Sequence, residues 1–164
     1  METQKQFKRR FSFEFFPPKT DKGWEKLQGV RNTLAEVDPD FFSVTFGAGG
    51  STRDRTVQTV LDLHKRGVST APHLSCVGAT RDSIAELLDV YRDNGINRIV
   101  ALRGDMPSGM GAAGELRYAN ELVSFIREYS GDTFNIEVAA YPEFHPQART
   151  AEDDLKNFAR KVEA

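Results

Sequence analysis

Residues 11–20 read Phe11-Ser-Phe-Glu-Phe-Phe-Pro-Pro-Lys-Thr20. Aromatic side chains that suit a pleated surface dominate the run and two prolines end it, so it reads as a β-strand. Side chains alternate along a strand, which puts Phe11, Phe13 and Phe15 on one face and Ser12, Glu14 and Phe16 on the other. If the phenylalanine face packs on helices, Glu14 points into whatever the opposite face encloses. An unpaired buried carboxylate is costly and tends to keep its proton, and a carboxyl protonated near neutral pH can act as a general acid. The alternative is an edge strand with Glu14 in water, and the segment alone does not separate the two.

Four more strand-like runs begin near Phe41, Thr70, Arg98 and Asn135: FFSVTF, TAPHLSCV, RIVALRG and NIEVAAY. Helical periodicity fills the intervals at 23–37, 56–66, 80–94 and 118–129, with Trp24, Leu27, Val30 and Leu34 at helix spacing in the first. Gly67, Gly95 and Gly131 stand where helix C-caps belong. Thr150 is placed to cap a last helix, with Asp153 in the capping-box position. The strand starts lie 28 to 37 residues apart, the period of βα units. Five units make one domain over 11–164, preceded by a polar, flexible N-terminus at 1–10.

Such a chain forms either a doubly wound sheet or part of a (β/α)8 barrel. A doubly wound sheet gathers its polar residues at one switch point. Here Glu14, Thr45, His73, Arg103, Asp105 and Tyr141 fall at the carboxyl ends of successive strands, where barrels carry their chemistry. The predicted fold is therefore α/β of the (β/α)8 TIM-barrel family, truncated to about five βα units, since whole barrels take roughly 200 residues or more. Val44, Leu74 and Val100, or their neighbours, are expected on its inward face.

The 164 residues are 39% hydrophobic and 28% charged, with a net charge of −2. That balance gives no general attraction to nucleic acid or to an anionic membrane, and no apolar run is long enough to span a bilayer. The single cysteine, Cys76, suits a reducing cytosol, so a cytoplasmic location is expected; its simplest role is that of a small buried hydrophobe. His64, His73 and His145 lack ligand spacing, so no metal site is predicted. His64 lies on the apolar stripe of its helix, while His73 and His145 in strand tails serve equally well as ligand contacts or as caps. No Ser-His-Asp or Cys-His grouping occurs.

Two loops remain. Gly109-Met-Gly-Ala-Ala-Gly114 spells GxGxxG, but a dinucleotide fingerprint needs its first glycine directly after the strand. Here Asp105-Met-Pro-Ser intervenes, and the run reads as a flexible loop. The stretch Thr45-Phe-Gly-Ala-Gly-Gly-Ser-Thr52 is a glycine-rich turn that would let backbone amides approach a ligand, or an ordinary βα loop. On the last helix, Asp154, Asn157 and Lys161 share a polar side with Arg160 beside them. This is either a solvated face or a phosphate and ribose site.

The runs FSFEFFPPKT, DFFSVTFGAGGSTRDRT, APHLSCVGAT, NGINRIVALRGDMP and VAAYPEFHPQA, in this order and spacing, resemble the methylenetetrahydrofolate reductase family of bacterial type over residues 10–164. The resemblance implies a (β/α)8 barrel that holds FAD at the carboxyl ends of its strands. It implies hydride passage from NADH or NADPH to FAD and on to 5,10-methylenetetrahydrofolate, giving 5-methyltetrahydrofolate for methionine synthesis. Glu14 matches the family's general acid, and Asp105 the aspartate beside flavin and pterin. The flavin contacts carry over to Thr45, Phe46, Ala48, His73, Arg103, Gly104, Asp105, Tyr118, Ala119, Tyr141, His145, Asp154, Asn157, Arg160 and Lys161.

The family continues past a segment like RKVEA into three more βα units, so the sequence reads as the amino-terminal part of such a barrel. The exposed edges of a five-stranded sheet lead to the expectation of a homo-oligomer. A half-barrel that binds FAD or self-associates without catalysis is the alternative function, and an NAD-binding module built on Gly109–Gly114 is a third.

Overall fold

The computed structural model describes residues 10–46, 50–105 and 114–164, without the side chains of 50–52. Its elements alternate: β1 (Ser12–Phe15), α1 (Asp21–Ala35), β2 (Phe41–Val44), α2 (Gly50–Lys65), β3 (Thr70–Ser75), α3 (Arg81–Asp93), β4 (Arg98–Leu102), α4 (Ala119–Ser130), β5 (Asn135–Val138) and α5 (Ala151–Glu163). The N-terminus before Arg10, Ala48, and Gly109 and Gly111 of the GxGxxG run lie outside the described residues.

Helix starts follow from local chemistry. Thr20, Thr80 and Thr150 are extended, and each hydroxyl accepts the N–H three residues on, at 3.1 Å. Each such bond relieves one of the unpaired donors of a first turn. At Thr80 the arrangement is reciprocal, because Ser83 Oγ accepts the Thr80 N–H at 3.1 Å. One boundary differs from the sequence reading: α2 begins at Gly50, six residues before Thr56. Its first turns, Ser51-Thr-Arg-Asp-Arg55, hold no apolar residue for periodicity to register. A tertiary contact braces them, with Arg53 Nη2 donating to the Ser83 carbonyl at 3.3 Å and lying 3.4 Å from a Glu86 carboxylate oxygen.

The five strands are parallel and lie in the order β1-β2-β3-β4-β5. Parallel crossovers are right-handed, so a sheet that always adds its next strand on the same side carries its crossover helices on one face. The reversal that defines a doubly wound sheet does not occur among the described strands. The arrangement is that of consecutive units of a (β/α)8 barrel, here an open sheet with two edges among the described residues.

On the helix side, Phe15, Phe42, Val44, Leu74 and Ile99 join Leu27, Leu63, Leu88, Leu122 and Ile126 in one core. Val44 and Leu74 are thus fully buried under the helices, and it is their neighbours Ser43 and His73 that take the inward face. Register explains it: Val44 lies level with Phe15, and Leu74 with Ala101. Val100, level with His73, does lie on the opposite face.

β3 changes partner halfway. Thr70–Pro72 pairs with β2 and His73–Ser75 with β4, and Pro72, which has no N–H to give, stands at the handover. Such stagger is what tilts strands in barrel-type sheets. It also carries the carboxyl half of β3 into the side-chain neighbourhood described next.

Candidate active site

Glu14 is the third residue of β1, on the face without helices and level with Ser43, which is in turn level with Ala71. His73 lies two residues beyond Ala71 and so shares that face. β1 and β3 are two strands apart, roughly 9.5 Å, too far for short side chains to meet. A glutamate and an imidazole close the gap over the small, buried Ser43: His73 Nε2 is 3.2 Å from Glu14 Oε2. Burial lowers the His73 pKa from its ordinary value, and the Glu14 charge raises it only part of the way back. The imidazole is therefore neutral near pH 7. With the imidazole neutral, the contact is a close approach of Nε2 to the carboxylate rather than an ion pair. The Glu14 side chain is 50% exposed, the open alternative of the two the strand pattern left, because no described element covers that face. Farther toward the strands' amino ends, Arg98 pairs with Glu137 and lies 4.7 Å from the centre of the Phe41 ring.

Past β4 the chain turns at Gly104, with φ +84. A Cβ there would fall 2.0 Å from Ser75 Oγ, and Ser75 Oγ donates to the Arg103 carbonyl at 2.9 Å. The turn thus lies flat against the end of β3 and delivers Asp105 to the surface. Gly114, the last glycine of the GxGxxG run, also has positive φ, and its missing Cβ lets the chain press on Ala79, whose oxygen would be 2.8 Å away. Glu115 fastens this approach: its N–H donates to the Ala79 carbonyl at 3.2 Å, and its carboxylate accepts the Arg81 N–H at 2.6 Å.

A second network runs from β4 to α5. Arg103 Nη2 donates to Gln147 Oε1 at 2.7 Å, and the Gln147 N–H donates to His145 Nδ1 at 3.0 Å. The His145 N–H donates to Asp154 Oδ2 at 2.9 Å, and the Tyr141 and His145 rings meet edge to face at 4.7 Å. On the same helix Lys161 Nζ donates to the Ala139 carbonyl at 2.5 Å and Arg160 Nη1 to Asn157 Oδ1 at 3.0 Å. Burial lowers the Lys161 pKa, partly offset by Asp154. The polar side of α5 therefore clasps the loop after β5 while leaving most of its donors unspent.

The structure thus brings together Glu14 with His73, and Arg103 with Tyr141, His145, Asp154 and Lys161 through their loop. Thr45 directly follows β2, where its N–H donates to the Phe15 carbonyl at 2.9 Å and its own carbonyl accepts from Thr56 Oγ1 at 2.9 Å. Phe46 packs against the core. Asp105 is exposed, and Tyr118 is an exposed N-cap of α4 whose side chain makes no capping bond, with Ala119 opening the helix. Ser43, Ser75 and Gln147 escaped the sequence reading. A serine inside a strand and a loop glutamine carry no spacing signal, and their part depends on neighbours 28 to 44 residues away. Cys76 is buried, which pushes its thiol up to about 11. Among the described residues no helix is long and apolar enough to cross a membrane, and no group of three or more His, Cys, Asp or Glu is placed to hold a metal.

A family model described as methylenetetrahydrofolate reductase matches residues 1–164. The chain is 46% identical over 154 residues to the 5,10-methylenetetrahydrofolate reductase of Salmonella typhimurium strain LT2, covering 93% of this chain and 51% of that protein. The figures are the same for the 5,10-methylenetetrahydrofolate reductase of Escherichia coli strain K12. Against methylenetetrahydrofolate reductase (NADH) 1 of Arabidopsis thaliana identity is 39% over 168 residues, covering 94% of this chain and 28% of the plant protein. The chain spans about half the length of these bacterial relatives.

Proposed function

The chain belongs to the methylenetetrahydrofolate reductase family, and on that footing we propose that it serves the reduction of 5,10-methylenetetrahydrofolate to 5-methyltetrahydrofolate by NADH or NADPH through FAD. The observation that carries the reading is the placement of Glu14: a half-exposed carboxyl on the helix-free face, 3.2 Å from Nε2 of the largely buried His73 imidazole. In that position it delivers a proton to the departing nitrogen of the folate ring, which must leave before the methylene carbon can accept hydride. Asp105, exposed at the end of β4, accepts hydrogen bonds from the pterin.

The donor set along β4, β5 and α5 suits FAD. Arg103, Arg160 and Lys161 offer cationic donors for a diphosphate, Asn157 an amide, and Asp154 an acceptor for a ribose hydroxyl. Thr45, Phe46, Ala48, His73, Gly104, Tyr118, Ala119, Tyr141 and His145 complete the set. Bound there, FAD supplies hydride acceptance from the nicotinamide and hydride donation to the folate carbon. The protein's part is to hold the reactants in register, to place the proton of Glu14 and to exclude water. A cytoplasmic location, where nicotinamide donors are at hand, accompanies this reading.

Self-association is the second reading, and the surface favours it. Leu155 and Val162 on α5 are 67% and 66% exposed, and among the described residues β1 and β5 each have a sheet partner on one side only, which leaves a strand edge for a second copy. The deciding experiment is anaerobic spectroscopy of the purified protein. A flavin spectrum bleached by NADH and restored by methylenetetrahydrofolate supports the reductase. A flavin spectrum that folate leaves bleached supports binding without catalysis, and a colourless protein refutes the reductase and the flavin-binding half-barrel, leaving self-association to be read by size-exclusion chromatography.

A further inference from the structure

We propose that His73 is a positioning residue for proton delivery: its Nε2–H fixes Glu14 Oε2 across the gap that Ser43 leaves over β2, and so presents Oε1 to the open side. The role rests on the proposed function, in which Glu14 is the acid. The geometry carries it. The two side chains come from strands that are not neighbours and meet at 3.2 Å across β2, where the residue level with Glu14 is the small Ser43. The His73 side chain is 11% exposed and held by packing, whereas Glu14 is half exposed and would otherwise sample several rotamers. Val100, level with His73 on β4, and Ser43 and Thr45 on the β2 side are uncharged, so Glu14 is the charge that acts on the imidazole.

The step balances. A proton that Glu14 takes up from solvent on Oε1 passes to the departing nitrogen, and the carbon–nitrogen pair goes with that nitrogen as the bond breaks. The carbon becomes an iminium with the other nitrogen, and Glu14 is left as a carboxylate. That new charge is the one the Nε2–H donor stabilises, so the contact strengthens as the proton leaves. The neutral imidazole holds Oε2 through one N–H without adding a charge of its own.

Two measurements on the purified protein test the proposal. Nitrogen-15 NMR of His73 should give the Nε2–H tautomer at pH 7, and Glu14→Gln should lower its titration midpoint, since the removed charge was raising it. An Nδ1–H tautomer, or a midpoint indifferent to Glu14→Gln, overturns the contact. In half-reactions, His73→Phe should slow reoxidation of the flavin by methylenetetrahydrofolate about ten- to a hundredfold more than reduction by NADH, the range of one hydrogen bond to a charged group. His73→Gln, whose amide N–H reaches a similar place, should recover most of that difference. Ser43→Leu, which fills the gap, should reproduce His73→Phe. Equal slowing of both half-reactions, or no rescue by glutamine, overturns the role. A protein that turns over no folate refutes the proposed function and the catalytic role with it, and the NMR result tells that apart from a failed contact.

Discussion

Replacing Gly104 by alanine perturbs the turn that joins β4 to the proposed flavin edge, and its cost has two separable parts. At φ +84 an alanine is strained by about 1–2 kcal/mol. Its Cβ would also lie 2.0 Å from Ser75 Oγ and 3.1 Å from Ser75 Cβ. Rotating the hydroxyl away gives up its 2.9 Å bond to the Arg103 carbonyl, about 0.5–1.5 kcal/mol, and leaves the two carbons in tight contact. Gly67 supplies the control: it has φ +82, and nothing lies within 4 Å of the place a methyl group would take. Gly67→Ala should therefore lose only the strain, and Gly104→Ala should lose about 1–2 kcal/mol more. Urea unfolding with unchanged slope measures both. Ser75→Ala paired with Gly104→Ala should cost less than the two single changes summed, because the hydroxyl in conflict is already gone. The reasoning fails if Gly104→Ala and Gly67→Ala agree within about 0.5 kcal/mol, the ordinary scatter of a surface substitution.

Glu14→Gln should leave bound flavin reducible by NADH but slow its reoxidation by methylenetetrahydrofolate about 10²–10⁴-fold; stopped-flow absorbance reads both steps, and normal turnover would refute the acid. Asp105→Asn should weaken folate binding and raise the flavin potential, readable by titration against a reference dye. His73, with its pKa lowered by burial, contributes stability that is present above about pH 6.5 and lost as pH falls through its folded value. Urea midpoints at pH 7.5 and pH 5 should therefore differ less in His73→Gln than in the native protein. Gly29→Ala, inside α1 with nothing within 4 Å of a new Cβ, should raise stability by about 0.5–1 kcal/mol in the same urea assay. Size-exclusion chromatography with light scattering should find self-association rather than a compact monomer, and substitution of Leu155 and Val162 by lysine should reduce it.

The alternation of Phe13 and Phe15 with Glu14, the threonine caps and the terminal glycines could be read from the chain because each depends on residues a few places apart, where backbone geometry and local hydrogen bonding decide the outcome. The βα period likewise followed from short-range pattern, and with it the sheet's parallel sense. What the chain could not disclose is everything set by pairing between distant strands. Whether Val44 and Leu74 face helices or the open side turned on register, and a one-residue shift in register moves every side chain to the other face. That Glu14 reaches His73 needed β1, β2 and β3 side by side in one order, with Ser43 small enough to be crossed. The grip of Ser75 on the turn at Gly104, and of Gln147 on Arg103, arises where the loops after different strands meet at one end of the sheet. Such contacts leave no periodicity behind, so only the tertiary structure could assemble them.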